Sequence, residues 1–236
     1  DGVSDPIQIM GGMITEPERA QQLANLFPAR LSDDDLPESW RRGTLDDVAQ
    51  KVGANVIPSR ISADTPYIGL EHMPRKSIAL LDWDQASKVT SNKTAFERGQ
   101  ILFGKLRPYF HKVGIAPFNG VCSTDIIVLD ARMKYARPML TACVSTNEFV
   151  TFADQGSTGT RMPRTSWGAM KRFPMALAPE PVIRAYGEIA KHFFERINSN
   201  VQESRTLAAT RDLLLPKLMS GEIDLSGAEE HLQEVA

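Results

Sequence analysis

EPVIRAYGEIAKHFFERINSNVQESRTLAATRDLLLPKLMSG, residues 180–221, carries an apolar stripe too long for one small domain to bury. Ile183, Tyr186, Ala190, Phe193, Ile197, Asn200, Ser204, Leu207, Arg211, Leu214 and Leu218 alternate spacings of three and four, the seam of a coiled coil. At a rise of about 1.5 Å per residue, some forty helical residues span roughly 60 Å, beyond the width of a domain built from the rest of the chain. The spacing therefore predicts a protruding helix that pairs with a partner; a surface helix packed on its own domain is the alternative. Asn200, Ser204 and Arg211 make the middle of the seam polar, and polar seam positions fix register and partner choice at a cost in stability. Pro179 and Pro181 punctuate its start, Pro216 predicts a kink in its last turns, and Gly221 marks its end.

Outward from this helix, the 236 residues with 42% apolar content are enough for a genuine core. No stretch approaches the roughly 18 uninterrupted apolar residues of a membrane span, and the chain opens on no basic-then-apolar leader; a soluble cytoplasmic protein without membrane contact is expected. Cys122 and Cys143 are too few for a disulfide scaffold and read as buried thiols. The net charge of −2 hides a segregation: residues 1–50 sum to −6, residues 51–178 to +8 and residues 179–236 to −4. A basic middle segment in an acidic chain points to a polyanion partner. Arg98, Lys105, Arg107 and Lys112 have no acid among them, and neither do Arg161, Arg164, Lys171 and Arg172.

Residues 1–38 read as a linker, with an exposed turn at residues 32–37 and a short helix over residues 16–26 capped by Thr15. Thr44 is placed to cap a second short helix reaching Val52. Four runs then read as strands: PYIGLEHM (66–73), KSIALL (76–81), AFERGQILFGKLRPYFHKVGIA (95–116) and GVCSTDIIVLDA (120–131). Within the third, Ile101 to Phe103 is apolar enough to be buried on both faces. Residues 136–152 predict one helix, and DQGSTGTRMPRTSWGAMKRFPMALAPEP (154–181) a loop, a short helix and a strand. The fold class is α+β: a globular domain of mixed β-sheet and short helices, followed by the long coiled-coil helix.

Catalytic constellations are poorly supported. His111, Ser123 and Asp125 have the residue types of a hydrolytic triad but no nucleophile elbow. His72, His111, His192 and His231 lack a second ligand at helical spacing, so no metal is expected, and GSTGT lacks the lysine and context of a phosphate loop. In FGKLRPYFHKVG (103–114), Lys105, Arg107 and Tyr109 alternate with Gly104, Leu106 and Pro108. On a strand that alternation puts both cations and the tyrosine hydroxyl on one face, where they could hold a phosphate backbone, with Lys112 at the margin. A strand edge kept soluble by its cations is the plainer reading. In the second candidate, the loop from Gly156 to Arg164, Ser157, Thr158 and Thr160 offer hydroxyls beside Arg161 and Arg164, which suit phosphates and guanine edges. A plain connecting loop is the alternative.

Together these pieces resemble the specificity subunit of type I restriction-modification systems. The resemblance rests on GQILFGKLRPYFHKVG (99–114) followed by GVCSTDIIVLDA, on GSTGTRMPRTSWGAMKRFPMALAPEP (156–181), and on ESRTLAATRDLLLPKLMSGEIDL (203–225), with LPESWRRGTLDDVA (36–49) like the start of such a domain. It covers about residues 37–225 and implies a target recognition domain over residues 39–179 and a helical spacer over residues 180–221. A connector over residues 1–38 and an acidic tail over residues 222–236 flank them. The domain would read one half of a split double-stranded DNA target, and the helix would set the half-site spacing. The family's subunit carries two recognition domains and two helices, so one of each implies a half subunit or the C-terminal half of one. By analogy such a half pairs with a second copy, or with the other half, through Ile183, Tyr186, Ala190, Phe193, Ile197, Asn200, Leu207, Leu214 and Leu218. The resemblance implies no cofactor and no chemistry in this chain: a methyltransferase subunit binds S-adenosylmethionine, and a restriction subunit cuts. Two other classes compete, a scaffold that recruits proteins through the helix and a self-contained enzyme.

Overall fold

The computed structural model describes residues 16–28, 30–32 and 35–223. Helix α1 (Pro17–Ala24) leads into β1 (Arg41–Thr44), the one-turn helix α2 (Leu45–Val48), β2 (Ala49–Val52) and β3 (Asn55–Val56). Strands β4 (Pro66–Ile68), β5 (Asp84–Gln85), β6 (Lys93–Phe96), β7 (Ile101–Gly104), β8 (Val113–Ile115), β9 (Gly120–Ser123) and β10 (Ile126–Ala131) follow. Helices α3 (Arg137–Val144), α4 (Asn147–Gln155) and α5 (Trp167–Met170), strand β11 (Pro174–Leu177) and the long helix α6 (Glu180–Met219) complete the order.

A four-stranded antiparallel sheet, ordered β2-β10-β7-β8, sits in the middle. Its two central strands are buried on both faces, so their side chains divide by parity. Ile101, Phe103, Ile127 and Leu129 face a core shared with α3, α4 and α5, where Leu140, Phe149 and Met170 are buried. Leu102, Ile126 and Val128 face a second core with Ile68, Met73, Leu80 and Phe96. That second core lies under a five-stranded sheet, β3-β6-β9-β4-β5, mixed because β4 and β9 run parallel. A two-stranded ribbon of β1 and β11 brings the start of the domain beside the root of α6.

Several expected elements differ. The helix after Thr44 lasts one turn: Thr44 and Asp47 form its capping box, but Ala49–Val52 is captured as a strand by β10. Residues 136–152 form two helices, because Ser145 ends the first and the Thr146 hydroxyl accepts from Phe149 N to cap the second. KSIALL makes no ladder strand, although Ile78 O accepts from Ile115 N at 3.0 Å. FGKLRPYFHKVG is not a continuous strand, for β7 stops at Gly104 and Pro108 starts a 3₁₀ turn, Pro108–Phe110. The strand alternation invoked for Lys105, Arg107 and Tyr109 therefore does not apply. Helix α1 begins after Glu16, whose side chain makes no cap, and the expected cap Thr15 lies outside the described residues. Helix α6 continues through Pro216 and ends at Met219. Cys122 is buried, which pushes its thiol up to about 12, and Cys143 is partly buried.

Helix α6 packs on the domain from its first turns, burying Val182, Gly187, Ala190 and Val201. Gly187 brings its backbone against Tyr135, where a Cβ would stand 2.4 Å from the Tyr135 carbonyl oxygen. Replacing a helical glycine by alanine ordinarily gains about 1 kcal/mol. Here the overpacking, about 1–3 kcal/mol, works against it. Gly187→Ala is expected to lower the urea midpoint, and an equal or higher midpoint would contradict this packing. At α2, the Asp46 carboxylate holds Lys171 and Arg132, each at 3.0 Å, and the Lys171 bond leads in drawing it below its ordinary 3.8. A depressed folded value stabilises above the unfolded pKa and is lost as pH falls through it. Unfolding midpoints should hold from pH 7 to about 5 and drop below about 4, and Asp46→Asn should flatten part of that drop.

Candidate nucleic-acid interface

The two basic segments, more than forty residues apart in sequence, form one surface. The register of β7 and β10 sets Gly104 opposite Ile126, so both chain directions leave the central sheet at the same edge. Lys105 N there donates to Asp125 O at 2.9 Å. The 158–164 segment turns back on itself through paired bonds between Thr158 and Arg164, 3.0 Å each way, with Gly159 at a positive φ of 96°. That turn docks on the first loop: Arg107 N donates to Pro163 O at 2.7 Å, and Thr165 N to Lys105 O at 3.0 Å.

Asp125 is the clamp between them. Its carboxylate takes a forked bond from Arg164, Nε to Oδ1 at 2.9 Å and Nη2 to Oδ2 at 3.3 Å, and this bond holds the Arg164 guanidinium above its ordinary value. Arg164 thus shapes the loop, leaving Thr160 and Arg161 exposed at the tip. Gly156 and Ser157 also serve structure. Gly156 ends α4 where a Cβ would meet the Ala169 Cβ at 2.9 Å, and the Ser157 hydroxyl donates to Ala153 O at 3.1 Å. Gly104 has a similar packing role, since a Cβ would stand 2.9 Å from the Leu70 side chain.

The first loop is strained. Arg107 and His111, at φ 50° and 52°, flank the 3₁₀ turn in the left-handed region, which costs a non-glycine residue about 1–3 kcal/mol each. Backbone bonds hold this geometry: Phe110 N to Arg107 O at 2.9 Å, His111 N to Pro108 O at 2.8 Å, and Lys76 N to His111 O at 2.9 Å. The result turns Tyr109 outward, 52% exposed, edge-on to Phe110 at 4.8 Å. Phe110 carries the Arg75 guanidinium at 4.1 Å over its ring and the Arg107 guanidinium at 5.9 Å. Arg107 also reaches Arg161 O at 3.4 Å, while its Nε is buried with no hydrogen-bond partner among the described residues. Lys112 is half-buried and donates to the Leu70 carbonyl; burial first, then the Arg75 charge, pull its ammonium below the ordinary lysine value.

The surface thus gathers Lys105, Arg107, Tyr109, Thr158, Thr160 and Arg161 around a rigid base. Arg75, which no sequence motif points to, and Asp125, through its hold on Arg164, also belong to it. Asp125 matches a triad by residue type alone, for His111 Nε2 lies 2.9 Å from Ser145 O and the Asp125 carboxylate is spent on Arg164. The alternation of charge in GKLRPYFHK could not reveal Arg75, which arrives from a separate loop. Among the described residues no cluster of His, Cys, Asp or Glu could hold a metal, and no helix is long and apolar enough to cross a membrane. Along α6, Ile183 and Ala190 of the expected pairing seam are turned onto the chain's own domain. Tyr186, Phe193, Leu207, Leu214 and Leu218 are exposed, as is Asn200, while Ile197 is half-buried.

No protein-family model matches the chain. It is 27% identical over 155 residues to the type I restriction enzyme EcoDI specificity subunit of Escherichia coli, an alignment covering 62% of this chain and 33% of that subunit. With the MjaIX specificity subunit of Methanocaldococcus jannaschii it shares 22% over 203 residues, 81% of this chain and 46% of that one. The chain therefore spans less than half the length of these curated relatives. Two solved structures share the fold at TM-score 0.55. One, from work on complex assembly and conformational transition of the type I R-M system, is 18% identical and covers 85% of this chain and 52% of its own. The other is the HsdS subunit from Thermoanaerobacter tengcongensis, 20% identical, covering 82% and 51%. By sequence and by fold the chain is a relative of the type I restriction specificity subunits, matching one globular domain and one long helix of such a subunit.

Proposed function

We propose that the chain reads one half of a split DNA target for a type I restriction-modification system and sets the distance to the other half through α6. The observation that carries this reading is the union of the two basic loops on one rigid base, with Arg107, Arg161 and Tyr109 presented together. Holding like charges together is costly in isolation and favourable against a phosphate backbone, whose neutralisation releases counterions. Tyr109 and the Arg161 tip are the groups free to reach base edges, while Lys105 and Arg107 position the backbone. Chemistry falls to partners: a methyltransferase subunit that binds S-adenosylmethionine, and a restriction subunit.

The exposed residues of the α6 seam are the surface for a second copy or a second half. Tyr186, Phe193, Leu207 and Leu214 recur at whole heptads, and Asn200 at their centre would select register. The same apolar stripe is what a protein-recruiting scaffold would present, and the absence of DNA binding at low salt would favour that reading.

Anisotropy titration of the chain with duplex DNA should show affinity falling steeply with salt, and a flat dependence would contradict the proposal. Arg161→Ala should weaken binding by about tenfold, within the about 1–3 kcal/mol of one specific contact, without altering stability. If Arg161 meets only phosphate, the salt slope should instead drop by about one at every sequence. Arg164→Ala should behave differently, lowering stability because it leaves Asp125 unpaired. Phe193→Glu with Leu207→Glu should abolish self-association in sedimentation velocity while each domain keeps its half-site preference.

A further inference from the structure

The face of α6 opposite its exposed stripe buries Ala190 and Val201 and carries two widely separated arginines, each stacked on an aromatic ring of the domain. At the root, the Arg184 guanidinium lies 3.9 Å from the Tyr135 ring centre, beside Gly187. Three heptads later the Arg205 guanidinium lies 3.4 Å from the ring centre of Trp83 and donates to Leu81 O at 3.2 Å. Val201, one turn before Arg205, is 2% exposed. Trp83 is itself braced, edge-on to Phe118 at 4.5 Å, and Phe118 meets the buried Phe96 at 6.1 Å. The distal contact is therefore anchored in the second hydrophobic core. Beyond Arg205 no residue of the helix is buried, and residues 206–219 extend for about 20 Å.

We infer that the Arg205–Trp83 clasp fixes the angle at which α6 leaves the domain, and so makes Arg205 a positioning residue for half-site spacing. The clasps are about 32 Å apart along the axis, and the tip lies about 50 Å from the root. Held at both, the helix has little angular play. Held only at the root, a swing of about 5° displaces the tip by 4–5 Å, more than the roughly 3.4 Å step between base pairs. A spacer of fixed length measures distance only if its direction is fixed as well. The helix length sets which spacing is possible, and the clasp sets how sharply it is selected. The guanidinium plane suits this role because it stacks flat on the indole while donating in its own plane to a carbonyl.

The DNA consequence rests on the proposed function, whereas the mechanical claim does not. Nitroxides at Lys88→Cys and Met219→Cys, in a Cys143→Ser background of the whole chain, would report the distance between the clasp region and the helix tip. Arg205→Ala is expected to broaden that distribution at least twofold, with Arg205→Lys intermediate and the exposed control Arg196→Ala unchanged. Selection from random duplexes should then give the same half-site bases for Arg205→Ala but about a threefold loss of preference for one spacing over its neighbours, the scale of one cation–π contact. An unchanged distance distribution overturns the clasp. A broadened distribution with undiminished spacing preference overturns its role in target measurement. If the parent chain selects no split target, the functional reading fails, and the distance measurement still decides the clasp.

Discussion

The pairing of β7 with β10 is the constraint on which the rest of the molecule depends. Both strands are apolar on both faces, so one register commits Ile101, Phe103, Ile127 and Leu129 to the helical side and Leu102, Ile126 and Val128 to the other. A slip by one residue would exchange the two sets and leave both cores misfilled. The same register places Lys105 beside Asp125 where the strands end. Asp125 is then positioned to capture Arg164, and the distant 158–164 turn is drawn onto the 105–111 loop. The surface proposed for DNA is a consequence of how the core is paired.

Electrostatics divides labour within that surface. Arg164 is neutralised by Asp125 and Lys112 is drawn inward by a carbonyl, so neither is free in the way its charge suggests. Arg107 and Arg75 instead share the ring of Phe110, which orients guanidinium groups without cancelling their charge. Cost is accepted in the backbone at Arg107 and His111, both left-handed, to turn Tyr109 outward. The long helix shows a parallel division: one face is spent on Tyr135 and Trp83, and another keeps Phe193, Leu207 and Leu214 exposed.

Sequence alone made parts of this legible and hid others for identifiable reasons. The helix over residues 180–219 was readable because its period persists for so many turns, and Ile101–Phe103 because an uninterrupted apolar run needs two buried faces. Periodicity does not separate the buried face that includes Gly187 and Val201 from the exposed one, since Ile183, Ala190 and Ile197 satisfy both to within a residue. The alternation in segment 105–112 imitates a strand, whereas Pro108 and two left-handed residues make it a turn. Residues 136–152 look like one helix in sequence because apolar spacing continues across Ser145 and Thr146, whose hydroxyl starts a new helix. Neither Asp125 nor Arg75 carried a local signal, because each acquires its role only when distant loops meet.

The 105–112 and 157–165 segments are proposed to act as one DNA-binding surface. Amide hydrogen exchange of the whole chain, with and without duplex DNA at low salt, tests it most directly. Both segments are expected to gain protection together while the root of α6 near Tyr135 does not change. Protection of one segment without the other, or protection confined to another face of the domain, would contradict it.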